Sequence, residues 1–435
     1  MIDSTNYDFC DIIRLLRREV ITLANVKYGA YLVLPLKYDV LNEEALDQFC
    51  PVVGVDTMDI NENIRVMFNS SGDMRVGTVR FLSLDTLTTH LGGEDCRITH
   101  EGNAYSFCFM PSYLYHFHTS VAFLCLGVWV ESMEALNAIC NPGFANNAAV
   151  YNYTDRSGKE HSFDLGRWLE DFLQPFGLKK FFEGPSSMLL EYYCYTLALA
   201  DQRFDSLEEL RRKTFNLHQM VDVAAENVDD SEEDIRYVYA VKNQQAGNYR
   251  WGICVSSQTI NYIVADPDLD FDAEMDTQAR DGLPLVALAL YEKYTCLRFT
   301  ELIAQVGKES TKLRKLKDMM LKFRAFGTVN PANVSRWNNV RQIFAYLQEV
   351  CGINDAVEDI SDKLNILTEQ QREIEQNRSN AVMNLITVFG IISILASVLS
   401  IIQILCDGNS AIWIGTILTS GVLAVAFGLA IRGRK

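Results

Sequence analysis

Residues 381–405 read AVMNLITVFGIISILASVLSIIQIL, an apolar run of about 25 residues without a charge. That length spans a hydrocarbon core roughly 30 Å thick. Upstream, residues 354–389 carry a charged helical pattern without Gly or Pro that passes directly into the run. Downstream, Cys406-Asp407-Gly408-Asn409-Ser410 connects to a second uncharged run of spanning length, residues 411–431, followed by Arg432-Gly433-Arg434-Lys435. In lipid every backbone polar group needs an internal partner, so the two runs predict a pair of antiparallel membrane helices. A buried soluble hairpin is the alternative.

The flanking charges predict an orientation. Arg372 and Arg378 precede the first run, Arg432, Arg434 and Lys435 follow the second, and the loop between has no Lys or Arg. Both termini are therefore expected in the cytoplasm, in an inner or plasma membrane. About 380 residues would lie inside the cell and roughly five outside. Whatever such a protein senses, it senses from the cytoplasm.

Of 435 residues, roughly half are apolar, which is enough for two or three structural units. The net charge of −17 argues against direct nucleic-acid binding and suits an acidic soluble domain, or carboxylates that concentrate cations near a pore. Eleven cysteines without a Cys-x-x-Cys pair match a reducing compartment with buried thiols. Met1-Ile2-Asp3-Ser4-Thr5 is polar and acidic, unlike a signal peptide.

Residues 1–281 read as a mixed α/β cytosolic domain. A helix is predicted over residues 9–26, with Ile12, Leu15, Leu16, Val20, Leu23 and Ala24 at helical spacing. Residues 28–38 are β-rich, and residues 64–68 and 76–82 flank a turn-like Asn69-Ser70-Ser71-Gly72-Asp73 as an expected hairpin. Residues 105–110 and 121–130 predict strands, the second apolar enough to be central. Residues 121–130 lead into Glu131-Ser132-Met133, and residues 188–200 into Asp205-Ser206-Leu207, giving two strand-to-helix units. Ser206 and Glu209 have capping-box spacing. Residues 235–241, 250–256 and 259–265 suggest a meander. Two acidic clusters, Asp229 to Asp234 and Asp266 to Asp276, are expected as solvated loops; the second lacks the central Gly and final Glu of a calcium loop.

Residues 282–380 read as a helical stalk. Pro284 suits a first turn, and the helix is expected to reach about Phe323. Lys308, Lys312, Arg314, Lys315, Lys317 and Lys322 form a basic collar, either near headgroups or a pore mouth or as a charge-paired exposed face. Residues 326–333 break the helix, residues 334–350 make another, and Gly352 fits a C-cap. Val357, Ile360, Leu364, Leu367, Gln371 and Ile374 form a heptad seam that needs a partner helix.

In the first span, Asn380, Asn384 and Thr387 share one face, which continues as Ile391, Ile394, Val398 and Leu405. Gly390, Ser393, Ser397 and Ser400 form a second stripe of small residues, suited to close helix packing. Side-chain amides can hold a hydrated cation and an apolar ring can gate a pore. Alternatively, Asn384 and Thr387 glue helices together. Two spans cannot enclose a lumen, so conduction requires an oligomer.

This architecture resembles the CorA family of divalent cation transporters. The resemblance is local at Asn377-Arg378-Ser379-Asn380-Ala381-Val382-Met383-Asn384-Leu385-Ile386-Thr387 and at Ser361-Asp362-Lys363-Leu364, and covers residues 284–435. It implies a homopentamer in the lipid bilayer that passes divalent cations such as magnesium, lined by Asn380, Asn384, Thr387, Ile391, Ile394 and Val398. The family's Gly-Met-Asn at the outer mouth is replaced by Asp407-Gly408-Asn409, so magnesium selectivity does not follow. Divergent CorA-like proteins also act as membrane effectors in prokaryotic antiviral systems, gated by a cytosolic nucleotide signal.

Other chemistry is sparse. His116 and His118 share a strand face without a third metal ligand, and there is no Walker loop, dinucleotide fingerprint or nucleophile elbow. No enzyme activity and no resident cofactor are expected. The expected protein is a CorA-like cation channel, with residues 381–435 as its pore domain. A signal-gated effector of the same fold and a membrane-anchored sensor or scaffold are the alternatives.

Overall fold

Tyr28 to Leu36 is a continuous uncharged, largely apolar run and is buried along its whole length, as a strand with both faces covered must be. The computed structural model describes residues 26–405 except 56, 58, 69–75, 101, 141–149, 183–192, 201–202, 205, 221–222, 224–236, 243–248, 267 and 307–309, and also residues 415 and 421. The helix expected over residues 9–25, the first acidic cluster, Lys308, Asp407, Gly408, Asn409 and nearly all of the second span lie outside the described residues. The chain divides into two compact units, Met1–Ser361 and Asp362–Lys435. The first is mixed α/β, and the stretch of residues 282–361 belongs to it.

The elements of the first unit run as follows. Strand β1 (Lys27–Lys37) is followed by α1 (Glu43–Phe49), β2 (Val52–Val53), α2 (Glu62–Arg65), β3 (Gly77–Leu82) and α3 (Leu84–Leu91). Then come β4 (Gly93–His100), β5 (Asn103–Phe117), β6 (Val121–Val130), α4 (Met133–Cys140), β7 (Val150–Asp155), β8 (Glu160–Phe163) and α5 (Leu165–Leu173). They continue with β9 (Lys179–Lys180), β10 (Tyr193–Ala200), α6 (Leu207–His218), β11 (Val238–Lys242), β12 (Tyr249–Val255) and β13 (Thr259–Ala265). The helical part comprises α7 (Phe271–Thr277), α8 (Leu283–Val306), α9 (Ser310–Lys322), α10 (Pro331–Val334) and α11 (Asn338–Val350). Helix α12 (Ile353–Leu405) begins in this unit and is continuous into the second.

The described strands form one 13-stranded sheet in the order β11-β12-β13-β10-β1-β6-β5-β4-β7-β8, with β2 and β3 attached beside β5 and β9 beside β1. Among the described strands only β10 and β13 are parallel neighbours. The two apolar strand-to-helix units of the sequence are β6–α4 and β10–α6, and their strands flank β1 from either side, both antiparallel to it. The Ser206 hydroxyl accepts from the Glu209 backbone N–H at 3.1 Å, as the capping-box spacing predicts. The predicted meander is present as β11, β12 and β13.

Two expectations are corrected. Residues 64–68 do not pair as a hairpin with residues 76–82: Ile64 and Arg65 end the short helix α2, and only Phe68 bridges to Gly77. β3 is satisfied instead by β2 and the second half of β5. The second acidic run is not a solvated loop throughout. Asp266 is buried and paired with Arg203 at 3.3 Å and Arg250 at 3.2 Å, and Asp270 caps α7, accepting from the N–H groups of Asp272 and Ala273.

Both faces of the sheet are covered. Ala30, Leu32, Leu34 and Leu36 join a core with Leu124, Leu126, Leu136, Trp168 and Leu210, under α4, α5 and α6. On the other face Phe123, Phe117 and Tyr115 are buried, and α8 lies against them. Tyr291 of α8 stacks on Phe117 with ring centroids 4.2 Å apart, and Tyr294 meets Phe123 edge-on at 5.6 Å. Helix α8 is buried nearly all round from Leu283 to Tyr291, which is why it shows no one-sided apolar stripe. At its far end Lys37 pairs with Glu301 at 2.9 Å, and Arg298 pairs with Asp39 at 2.9 Å and Glu301 at 2.8 Å.

Beside Tyr291, the buried carboxyl of Glu292 accepts from the Val329 N–H at 2.9 Å and from the Gln348 amide at 3.2 Å. It ties α8 to the segment before α10 and to α11. Burial pushes its pKa up to about 8, against the smaller opposing effect of these donors.

Two predictions follow from this packing. Tyr291→Ala should lower stability by about 3–5 kcal/mol by opening a cavity between α8 and the sheet, read as the shift of a denaturant midpoint; a shift below about 1 kcal/mol would remove the stack from the set of core contacts. Glu292 holds its proton in the folded state and loses it in the unfolded chain between its ordinary value near 4.5 and about 8. Stability should therefore fall as pH rises through that window. Glu292→Gln should flatten the fall, measured as melting temperature against pH; an unchanged slope would assign the dependence elsewhere.

Candidate functional site

The candidate pore face is set by the helical repeat of α12. Among the described residues this helix of 53 residues is the one long and apolar enough to cross a membrane, and none of its most apolar window is buried. Asn380, Asn384 and Thr387 lie one and two turns apart, as do Ile391, Ile394 and Val398 further on, so the α-helical geometry keeps these six on one side. All six are exposed.

Their polar groups differ in what they have left to offer. The Thr387 hydroxyl donates to the Met383 carbonyl at 2.8 Å, leaving its oxygen as an acceptor. On the second stripe Ser397 and Ser400 donate to the carbonyls of Ser393 and Ala396 at 2.8 and 2.9 Å. These hydroxyls are satisfied within the helix and need no neighbouring helix. Asn380 and Asn384 make no hydrogen bond among the described residues, so their amides are the groups that can take an outside ligand. Along the heptad seam Ile360, Leu364 and Leu367 are buried, whereas Ile374 is 45% exposed, so coverage of the seam ends before the apolar run begins.

Helix α9 carries the basic collar. Leu313, Leu316 and Met320 are buried, while Lys312, Arg314, Lys315 and Lys322 are exposed and Lys317 is half-buried. The collar is thus the outer face of an amphipathic helix. Arg324 in the turn after it donates to the Ser361 hydroxyl.

The two histidines expected on one strand face do not form a site. β5 ends at Phe117, so alternation stops before His118. His116 is buried and accepts from Arg80 Nε at 3.2 Å, within a cluster where Arg80 also meets Asp47 at 2.7 Å and Glu43 at 2.6 Å. His118 Nδ1 donates instead to the Val76 carbonyl at 3.0 Å, and its ring lies beside Tyr291; burial lowers its pKa. No group of three potential metal-holding side chains occurs among the described residues.

Cavities in the first unit are formed among the described residues. One of about 140 Å³ reaches from Asp59 and Trp251 to Ile343, under the bond from the Tyr195 hydroxyl to Gln278. A second of about 500 Å³ lies along α5 and β9, where Lys180 pairs with Glu170. The third, about 590 Å³, opens between α7 and the sheet, and is lined by residues from five separate stretches of chain. No sequence spacing announces it: its walls meet only through strand pairing and the docking of α7. No protein-family model, curated protein or solved structure matches the chain.

Proposed function

We propose that the chain is a CorA-like oligomeric membrane channel that passes cations through a pore lined by the apolar part of α12. One observation carries the reading: a single uninterrupted helix of 53 residues leads from a charged stretch into an exposed, uncharged one whose amides, Asn380 and Asn384, have no hydrogen-bond partner among the described residues and share a face with Thr387. Amide oxygens and a hydroxyl acceptor along one face suit a hydrated cation, and Ile391, Ile394 and Val398 on the same face suit an apolar constriction. The second span (residues 411–431) belongs to this proposal through its uncharged run of spanning length, and the outer mouth and the pentamer through the family resemblance. So do the inner or plasma membrane and cytoplasmic termini, which the flanking charges support. No catalytic residues are assigned.

A signal-gated form of the same channel is the second reading, favoured by the ligand-sized cavities of the sheet unit. A nucleotide would find a pair of lysines in the cavity along α5 and β9, where Lys179 and Lys180 are offset by Glu170 and Asp171, and the single Lys27 in the cavity beside α7.

The test is divalent-cation flux into liposomes containing the purified protein and a divalent-sensitive dye. Asn384→Leu should abolish flux while the oligomer still assembles. Flux equal to wild type would take Asn384 out of the pore. A correctly assembled wild-type oligomer that stays silent without added ligand would favour the gated form.

A further inference from the structure

The cavity between α7 and the sheet is built around an irregularity in β5. Met110 pairs with Gly127 and Tyr113 with Cys125, so Pro111 and Ser112 together face the single residue Leu126. This bulge inserts one residue and changes which side chains point to each face. Pro111 has no N–H to leave unpaired there, and Ser112 closes the gap, accepting from the Gly127 N–H at 2.9 Å and donating to the Met110 carbonyl at 2.9 Å. The shift puts Tyr113 on the same side as Tyr31 of β1, with ring centroids 6.3 Å apart and the rings tilted by 60°. A Cβ at Gly127 would lie 2.9 Å from the Pro111 carbonyl oxygen and 3.1 Å from the Tyr31 ring, so the glycine leaves room for both the bulge and that ring.

Trp129 and Phe271 add two more aromatic rings to the walls. Over this aromatic floor stand the carboxylates Asp270, Asp272 and Asp276, against the single ammonium of Lys27. Asp270 is engaged as the cap of α7, whereas Asp272 and Asp276 are exposed. Their field reaches the floor: after burial, Asp276 is the next cause raising the Tyr113 hydroxyl above its usual value, and Asp272 does the same to the Cys108 thiol.

We propose that this cleft binds a small aromatic or otherwise apolar-bodied organic cation from the cytosol. Aromatic faces attract a cation through their quadrupoles and stack on a flat apolar body. The excess of carboxylates attracts positive charge and repels phosphate or sulfonate. A cavity of about 590 Å³ is the size of a small-molecule site, larger than a bare metal ion requires. An inorganic cation would leave the aromatic floor unused, and a nucleotide would bring its phosphates against three carboxylates.

The probe is ethidium, an aromatic cation, titrated by calorimetry into the full-length protein in detergent, beside the aromatic anion anilinonaphthalene sulfonate. Wild type should bind ethidium saturably with an affinity that falls as salt rises. The double variant Asp272→Asn/Asp276→Asn, which keeps the Asp270 cap, should lose about tenfold in affinity, and Tyr113→Ala a similar factor. Glu160→Gln, an exposed acid on β8, should bind as wild type does. Absence of saturable ethidium binding, equal affinity in the double variant, or equally tight uptake of the sulfonate would each overturn the proposal. The readout is binding, so its outcome is independent of whether the chain conducts.

Discussion

The face-to-face stack of Tyr291 on Phe117 joins the first long helix after the sheet to the strand that anchors β3, β4 and β6. A sheet with apolar side chains on both faces stays soluble only if both are covered, and here the second cover comes from residues C-terminal to the last strand. The rings bury large apolar area in a near-parallel stack, so α8 is fixed against the sheet by packing more than by polar contacts. Those polar contacts, Lys37 with Glu301 and Arg298 with Asp39, cluster at the open end of α8, where partial exposure weakens each of them. Next to the stack, Glu292 is the exception: a buried carboxyl with two donors, which converts a local packing site into one that responds to pH.

What the sequence made legible depended on how local each signal was. The apolar runs of β1, β6 and β10 and the Ser206 cap are written within a few neighbouring residues, and the structure follows them. The face shared by Asn380, Asn384 and Thr387 was legible for the same reason, since helical periodicity alone places it. Residues 64–68 were misread because Ile64, Val66, Met67 and Phe68 have strand-like side chains, whereas tertiary contact decides their conformation: Asn61 N–H donates to the Val334 carbonyl at 2.9 Å and starts a helical turn. Asp270 did carry a helix-start signal, an Asp just before an apolar residue, but it was hidden in a run of alternating acids. The cleft at the β5 bulge was illegible in principle. It needs the register of β5 against β6, the pairing of β1, and the docking of α7, none of which has a motif.

Within α12 the hydroxyl and amide side chains face different constraints, and the difference bears on the proposed channel. A Ser or Thr hydroxyl can return its proton to the carbonyl one turn back, and Thr387, Ser397 and Ser400 all do so. An Asn side chain offers two donors and two acceptor sites and cannot discharge them on its own helix in the same way. In hydrocarbon an unsatisfied amide costs several kcal/mol, on the order of what a polar group loses on leaving water. If the uncharged run crosses a bilayer as proposed, Asn384, three residues past its start, demands a partner that the described part of the helix does not supply: water, an ion, or the matching residue of another copy. Each of these answers requires the face to look into something other than lipid. A helix serving only as an anchor has no such requirement, since Leu or Ala at position 384 would meet it at no cost.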